Sequence, residues 1–368
     1  MNEIIKIKDV TRYLEEWAPL SYQESYDNAG LLTGDASAEV RGVLVTLDCT
    51  EGVVEEALQL GCNLIVAHHP ILFKGLKKLT GANYVERTII KAIKHDVAIY
   101  AIHTNLDNVH SGVNKKICEK IGLKNTKVLL PKTDTLCKLI TFIPKDNASE
   151  VTAALYAAGA GQIGDYRNCS FQLQGLGTFM PTEGTNPHIG EHNEQTYVDE
   201  TRVEMLFPSH LKKKVLDALW QAHPYEEVAY YIFPLLNDNQ EVGSGMIGDL
   251  ESPMEPLEFL KSLKDKMNLN IVRYTMLSSE KVEKIAVCGG SGSFLLSKAI
   301  QEGADFFITA DFKYHEFFDA DGKITIADIG HYESEVFTKE LLMEVLMKKF
   351  HTFAINFSKT ATNPISYI

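Results

Sequence analysis

The sequence predicts an α/β protein in which two similar α/β halves form one domain, interrupted by a ferredoxin-like α+β insert. Three observations predict it: strand-helix-strand wording in both outer parts, near-copied phrases between those parts, and a middle stretch with a different order of elements. At 368 residues the chain exceeds what one hydrophobic core usually serves, so two or three structural units are expected. The expected boundaries are 1–128 for the first half, 129–235 for the insert and 236–368 for the second half.

In the first half, residues 42–48 (GVLVTLD) read as a short buried strand, 50–60 as a helix ending at Gly61, and 63–67 (NLIVA) as a second buried strand. A helix around 84–95, a strand at 97–103 (VAIYAIH) and an amphipathic helix at 111–121, stopped by Gly122, continue the pattern. Repeated β-α-β units imply a parallel sheet. The second half repeats the grammar: strand 284–290, helix 293–302, strands 305–309 and 323–330, and helix 332–349. The wording also matches, since ALQLGCN–LIVAHH (57–69) lies over AIQEGAD–FFITAD (299–311), and VAIYAIH over ITIADIGH (324–331). Such self-similarity points to an internal duplication, although Ala-x-x-x-Gly junctions recur in unrelated α/β proteins.

The middle stretch reads strand 137–144, helix 147–158, strands 169–175 and 197–207, helix 209–221 and strand 227–235. That is the element order of a ferredoxin-like sandwich. Its segment 181–196 (PTEGTNPHIGEHNEQT) is long, polar and rich in Gly and Pro, which suits a functional loop or an interface arm.

Composition narrows the function. A 45% hydrophobic and 23% charged chain is ordinary for a folded soluble protein. No apolar run approaches the roughly 20 residues a membrane helix needs, and the first residues lack a signal-peptide layout, so a cytoplasmic location is expected. The six cysteines are scattered without a C-x-x-C pair and read as small buried hydrophobes. A formal net charge of -13 disfavours duplex nucleic acid as a partner. It leaves nucleotides open, because a bound divalent ion can reverse the sign inside a cleft.

The candidate chemistry gathers at strand ends, where ligands collect in open α/β sheets. His68 and His69 follow a buried strand, and neighbouring strand residues point to opposite faces, so the pair suits two metals better than one. Taken alone, such a pair could equally be satisfied by backbone carbonyls. His331 and Glu335 open a helix at i, i+4 spacing, which puts them on one face; a first-turn acid favoured by the helix dipole is the alternative for Glu335. Asp107 sits in HTNLDN after a third strand, where a turn-forming role competes with ligation. Convergence of the five favours a centre of His68, His69, Asp107, His331 and Glu335, making the two halves one metal-binding domain. Without a thiolate, that set suits two divalent ions of the Zn, Mn, Fe or Co kind. Asp311, His315 and His103 are candidates to support the ligands or face substrate, as are Tyr314, Glu316, His110 and Asp48.

Two glycine motifs are weaker signals. GSGMIG (243–248) has the G-x-G-x-x-G form but lacks its strand and its later acid. CGGSGSF (288–294) lies between a strand and a helix and could bind a phosphate, or simply form a close turn.

The segments YDNAGLLTG (26–34), AHHP (67–70), HTNLDNVHSGVN (103–114), AVCGGSG (286–292) and GHYESE (330–335) together resemble the NIF-three-like family of GTP cyclohydrolase I type 2 homologues. The resemblance covers roughly 1–128 and 236–368. It implies two metal ions on His68, His69, Asp107, His331 and Glu335; between two such ions Glu335 is the expected bridging ligand. It also implies a metal-dependent hydrolase that converts GTP to dihydroneopterin triphosphate and formate. The middle stretch, with HPYEEVAYYIFPL (223–235), looks like the PII-like or CutA-like insert of longer members, which resemble toroidal homohexamers. TADFKYHEF (309–317) has Ala310 where that family commonly has glycine. The same ligands would also serve a two-metal phosphoesterase, and a non-catalytic regulatory scaffold with a PII-like sensor remains a reading from another class.

Overall fold

The computed structural model describes residues 4–368. It divides into two compact units: one joins the chain up to Pro131 with Val242–Ile368, and the other is Lys132–Glu241.

The first unit is a mixed α/β structure built on two sheets. One sheet has the strand order Gly30–Thr33, Ala98–Ala101, Leu64–Ala67, Gly42–Thr46, Ala354–Phe357. Its members are parallel except Gly30–Thr33, which runs antiparallel to Ala98–Ala101 at the edge. The other sheet has the order Arg273–Tyr274, Thr325–Asp328, Phe306–Ala310, Val282–Ser291, Asn239–Met254, Lys124–Lys132. Its three central strands are parallel, and Arg273–Tyr274 caps them as an antiparallel edge. Each sheet thus carries three parallel strands in sequence order with a preceding antiparallel strand beside the third.

The sequence pattern explains the packing. Gly42–Thr46, Leu64–Ala67, Ala98–Ala101, Phe306–Ala310 and Thr325–Asp328 are buried at every residue, as continuous apolar runs in parallel sheets should be. Alternation then assigns faces. Val43, Val45, Leu64 and Val66 join Ile285, Val287, Phe306 and Ile308 in one shared core, together with apolar residues of helices Ile7–Trp17, Val113–Ile121, Pro256–Lys266 and Thr338–Lys349. Their neighbours Leu44 and Ile65, and Ala286 and Phe307, face outward into two separate clusters. At roughly 1.5–3 kcal/mol for each fully buried large apolar side chain, the shared core is a principal stabilising term for the first unit.

Local signals set the helix ends. Thr50 accepts from Val53 N at the start of Glu51–Gln59, and Asn83 accepts from Glu86 N at the start of Tyr84–Lys94. Gly122, at φ 89°, closes Val113–Ile121 in a left-handed cap.

The second unit holds one four-stranded sheet of order Phe171–Phe179, Thr196–Pro208, Leu136–Pro144, Tyr230–Leu235, antiparallel throughout. Helices Ala148–Ala157 and Lys212–Ala222 contribute Val151, Leu155, Val215 and Leu219 to a core with Leu139, Val203 and Phe207.

Several sequence expectations need correction. The helix expected over 332–349 is broken into His331–Glu335 and Thr338–Lys349. Asp107, expected in a loop, ends a one-turn helix Thr104–Asp107. GSGMIG, already a weak signal, lies inside the long strand Asn239–Met254 instead of at a strand-to-helix turn. No described helix is long and apolar enough to cross a membrane.

Gly112 fixes the turn that carries Asp107: a Cβ there would lie 1.8 Å from the Leu106 carbonyl oxygen. Gly112→Ala should therefore destabilise the metal-free protein by about 1–3 kcal/mol, measured by thermal or denaturant unfolding. An unchanged midpoint would mean the turn relaxes freely.

Candidate metal centre

Buried strand ends from both sheets of the first unit deliver the candidate residues to one place. His68 and His69 continue the ladder past Leu64–Ala67, their N–H groups donating to Thr46 O (3.2 Å) and Leu47 O (2.9 Å). His331 and Glu335 open the helix after Thr325–Asp328, and Asp107 arrives on the turn following Ala98–Ala101.

Glu335 is the hub. Its Oε2 lies 2.9 Å from His69 Nε2 and 3.1 Å from His331 Nε2, while Oε1 faces His68 Nε2 at 3.9 Å. His68 Nε2 is also 3.7 Å from Asp107 Oδ1. Two groups with metal-ligating potential result, His68–Asp107–Glu335 and His69–His331–Glu335, and Glu335 belongs to both. A third group joins His68, His69 and His103. Gly290 permits the approach: it has φ 61°, and a Cβ there would sit 2.4 Å from Glu335 Oε1.

Each imidazole is oriented through its other nitrogen. His68 Nδ1 donates to Ile102 O at 2.8 Å, so its Nε2 lone pair points into the cluster. Carboxylates hold the rest: Asp48 takes His69 Nδ1 at 2.8 Å, Asp311 takes His331 Nδ1 at 2.7 Å, and Asp27 takes His103 Nδ1 at 2.7 Å. Such partners fix the tautomer and raise ligand basicity. Asp27 is held by Thr104 through both its N–H and its hydroxyl.

The electrostatics are those of a site arranged for a cation. Burial lowers the His68 pKa to about 4, keeping it a neutral donor. Burial also opposes charge on His69 and His331, but Asp48 and Glu335 raise the first to about 10, and Asp311 and Glu335 raise the second to about 11. Asp107 is pushed up by burial and by the Glu335 charge. Glu335 is held down: burial would raise it, and the facing imidazoles of His331, His68 and His69 outweigh that.

Two features make the residues fit a metal ion. His68 Nε2 and Asp107 Oδ1 are buried without hydrogen-bond partners, at a cost of roughly 1–3 kcal/mol each. His69 Nε2 and His331 Nε2 lie 3.3 Å apart with both Nδ1 atoms already on carboxylates, and both face Glu335 Oε2, so two ring nitrogens and one carboxylate oxygen converge on one point. Those three atoms could hold one cation. Cys288 lines the same cavity but belongs to none of the three groups, whose donors are nitrogen and oxygen.

The outcome for the remaining candidates is mixed. His103 and Asp311 reach the cluster as described, as does Asp48. His315 does not: it is exposed, and its ring packs against Tyr314 and Phe318. Sequence reasoning missed Asp27 as an orienting group, although it lies inside YDNAGLLTG. It also missed the C-terminal segment. Past the strand Ala354–Phe357, Glu56 accepts from Ser358, Lys359 and Thr360, and Thr362 Oγ1 donates to Asp48 Oδ2 at 2.7 Å. Asn363 Nδ2 then donates to Glu333 at 3.0 Å, and residues 362–365 wall the cavity over the cluster.

Known proteins share this architecture along its whole length. The chain matches the Duf34/NIF3 (NGG1p interacting factor 3) family over residues 5–364. The protein belongs to the Duf34/NIF3 family. It is 38% identical over 374 residues to a Bacillus subtilis protein named GTP cyclohydrolase 1 type 2 homolog, covering 100% of both chains. A Halalkalibacterium halodurans protein of the same name is 39% identical over 365 residues, covering 98% of each. Among solved structures, a Bacillus cereus protein related to NIF3 superposes with a TM-score of 0.88 at 37% identity, covering 100% of both chains. A Staphylococcus aureus protein gives 0.79 at 34% identity, again covering 100% of both chains.

Two outcomes test the site of this Duf34/NIF3 chain. Thr362→Val should weaken metal binding about ten-fold in chelator competition, with Thr362→Ser retaining it, because the hydroxyl steadies Asp48 behind His69. Metal uptake near pH 7 should release at least one proton per chain, since His69 and His331 hold protons in the metal-free cluster, and affinity should rise with pH. Calorimetry in buffers of different ionisation enthalpy measures the proton count; no release would contradict the assigned ligands.

Proposed function

We propose that this Duf34/NIF3 chain holds two divalent metal ions, of the Zn, Fe, Mn or Co kind, and acts as a metal-dependent hydrolase on a small heterocyclic substrate. Residues His68, Asp107 and Glu335 would hold one ion, and His69, His331 and Glu335 the other. The observation that carries this reading is the division of the Glu335 carboxylate, with one oxygen facing His68 and the other facing His69 and His331.

A divalent pair supplies Lewis acidity, acidifying water and polarising the group under attack. The chain supplies the rest. Ile102 O, Asp48 and Asp311 keep the donor nitrogens aimed inward. His103, anchored on Asp27, presents its other nitrogen beside His68 and His69, where it can hold or pass a proton. The cavity above, about 610 Å³, has room for a small molecule.

The names of the relatives point to GTP as the first substrate to assay, with formate release as the readout; phosphate release would favour a two-metal phosphoesterase instead. We take the chain to be cytoplasmic, its two α/β sheets to be duplicated halves, Lys132–Glu241 to be an inserted PII-like domain, and the assembly to be a homohexamer. The motive for the insert is its element order and antiparallel sheet. A second reading, a metal-stabilised binding scaffold, draws on a cavity of about 720 Å³ beside Glu200 and Tyr225 in that unit.

Elemental analysis of the purified chain beside Glu335→Ala and His68→Ala/His69→Ala decides the centre. About two transition-metal ions per chain, falling below one in each folded variant, is the expected result. Equal metal in all three would sink the assignment.

A further inference from the structure

We propose that the cavity over the cluster selects an uncharged planar heterocycle, of the class of a free nucleoside or base, and disfavours a nucleoside triphosphate. This rests on the reading of the cluster as a two-metal centre and narrows its substrate.

The first observation is charge. Among the described residues, the lining of this cavity includes Glu24, Asp48, Asp107 and Glu335 but no lysine or arginine. Two divalent ions would balance these four carboxylates and leave no positive surplus. A triphosphate brings several negative charges, which proteins meet with Arg or Lys side chains, or with free N–H groups at a helix N-terminus.

The second observation concerns the obvious substitute. The glycine-rich stretch 288–294 borders the cavity, and the N–H groups of its two adjacent glycines, Gly289 and Gly290, are already used. Gly289 N donates to Asn114 Oδ1 and Gly290 N to Ser334 Oγ, both at 2.9 Å. Leu295 N is bonded to Gly292 O, and the α-helix that follows spans only Leu296–Gln301. Gly289 and Gly290 thus serve the close approach of Glu335 instead of offering N–H groups to a phosphate.

The third observation is what the mouth does offer. Tyr26, Phe73, Tyr84 and Phe294 all line the cavity and are more than half exposed, at 70%, 53%, 59% and 62%. Large rings gathered at the rim of one pocket mark a binding surface, and stacking on them requires a flat partner rather than a charged one. Lys74, Lys77 and Lys78 are exposed on the stretch after Phe73, outside the lining, and are the rival source of counter-charge that the test addresses.

The test compares guanosine with GTP, which differ only in the phosphates. Metal content of the full-length protein is measured first. Equilibrium dialysis then follows each ligand at one ionic strength, with magnesium in excess so that GTP does not strip the centre. The expected result is a Kd for guanosine at least ~10-fold below that for GTP, with Phe294→Ala weakening guanosine about ten-fold at unchanged metal content. GTP binding as tightly as guanosine or more tightly would overturn the proposal, and its loss in Lys74→Ala/Lys77→Ala/Lys78→Ala would place the phosphates on that loop. Binding of neither ligand by metal-loaded protein would also overturn it while leaving the metal centre standing. A wild-type chain without metal would instead remove the reading beneath.

Discussion

The Glu335 carboxylate lies buried among three imidazoles, its two oxygens turned toward different partners. An isolated carboxylate in such a place would be strongly destabilising, so this arrangement persists only because cationic or metal-ligating groups surround it. Meeting that condition constrains the first unit. His68 and His69 come from one sheet and His331 with Glu335 from the other, so the parallel strand ends of both sheets must converge on one point. The shared core containing Val43, Val66, Val287 and Ile308 holds the two sheets in the required relation. Gly290 lacks a Cβ where one would strike Glu335, and Gly112 lacks one where it would strike the turn carrying Asp107.

Around that hub the same device recurs. Three histidines have their outer nitrogens on aspartates, Asp27, Asp48 and Asp311, while His68 uses the Ile102 carbonyl. Asp48 and Asp311 follow strands of different sheets, each serving a histidine that follows another strand. That correspondence fits the shared strand order of the two sheets. The C-terminal segment adds an outer tie, because Glu56 clamps it beside the first sheet and Thr362 reaches Asp48 from there. Residues far apart in the chain thereby steady one imidazole.

The cavity above the cluster separates two jobs. Its floor is polar and acidic, suited to cations, whereas its rim is aromatic. Among the described residues, its lining has carboxylates but no lysine or arginine.

By itself the sequence determined the α/β class, because continuous apolar runs between capped amphipathic helices have few other solutions. It also marked His68, His69, Asp107, His331 and Glu335, whose positions at predicted strand ends and on a helix face are local properties. Tertiary structure decided what these residues do to one another. His69 and Glu335 are 266 positions apart, and no periodicity reports that their atoms lie 2.9 Å from each other. The same holds for Asp27 behind His103 and Thr362 behind Asp48, pairs separated by 76 and 314 positions. His315, near the candidate site in sequence, was turned to solvent by the 3₁₀ segment Tyr314–Ala320. The glycine-rich turn resembled a phosphate loop in its letters, but the N–H groups of Gly289 and Gly290 were claimed by Asn114 and Ser334. Local pattern fixes which backbone forms where; which donor meets which acceptor is set only when distant segments pack.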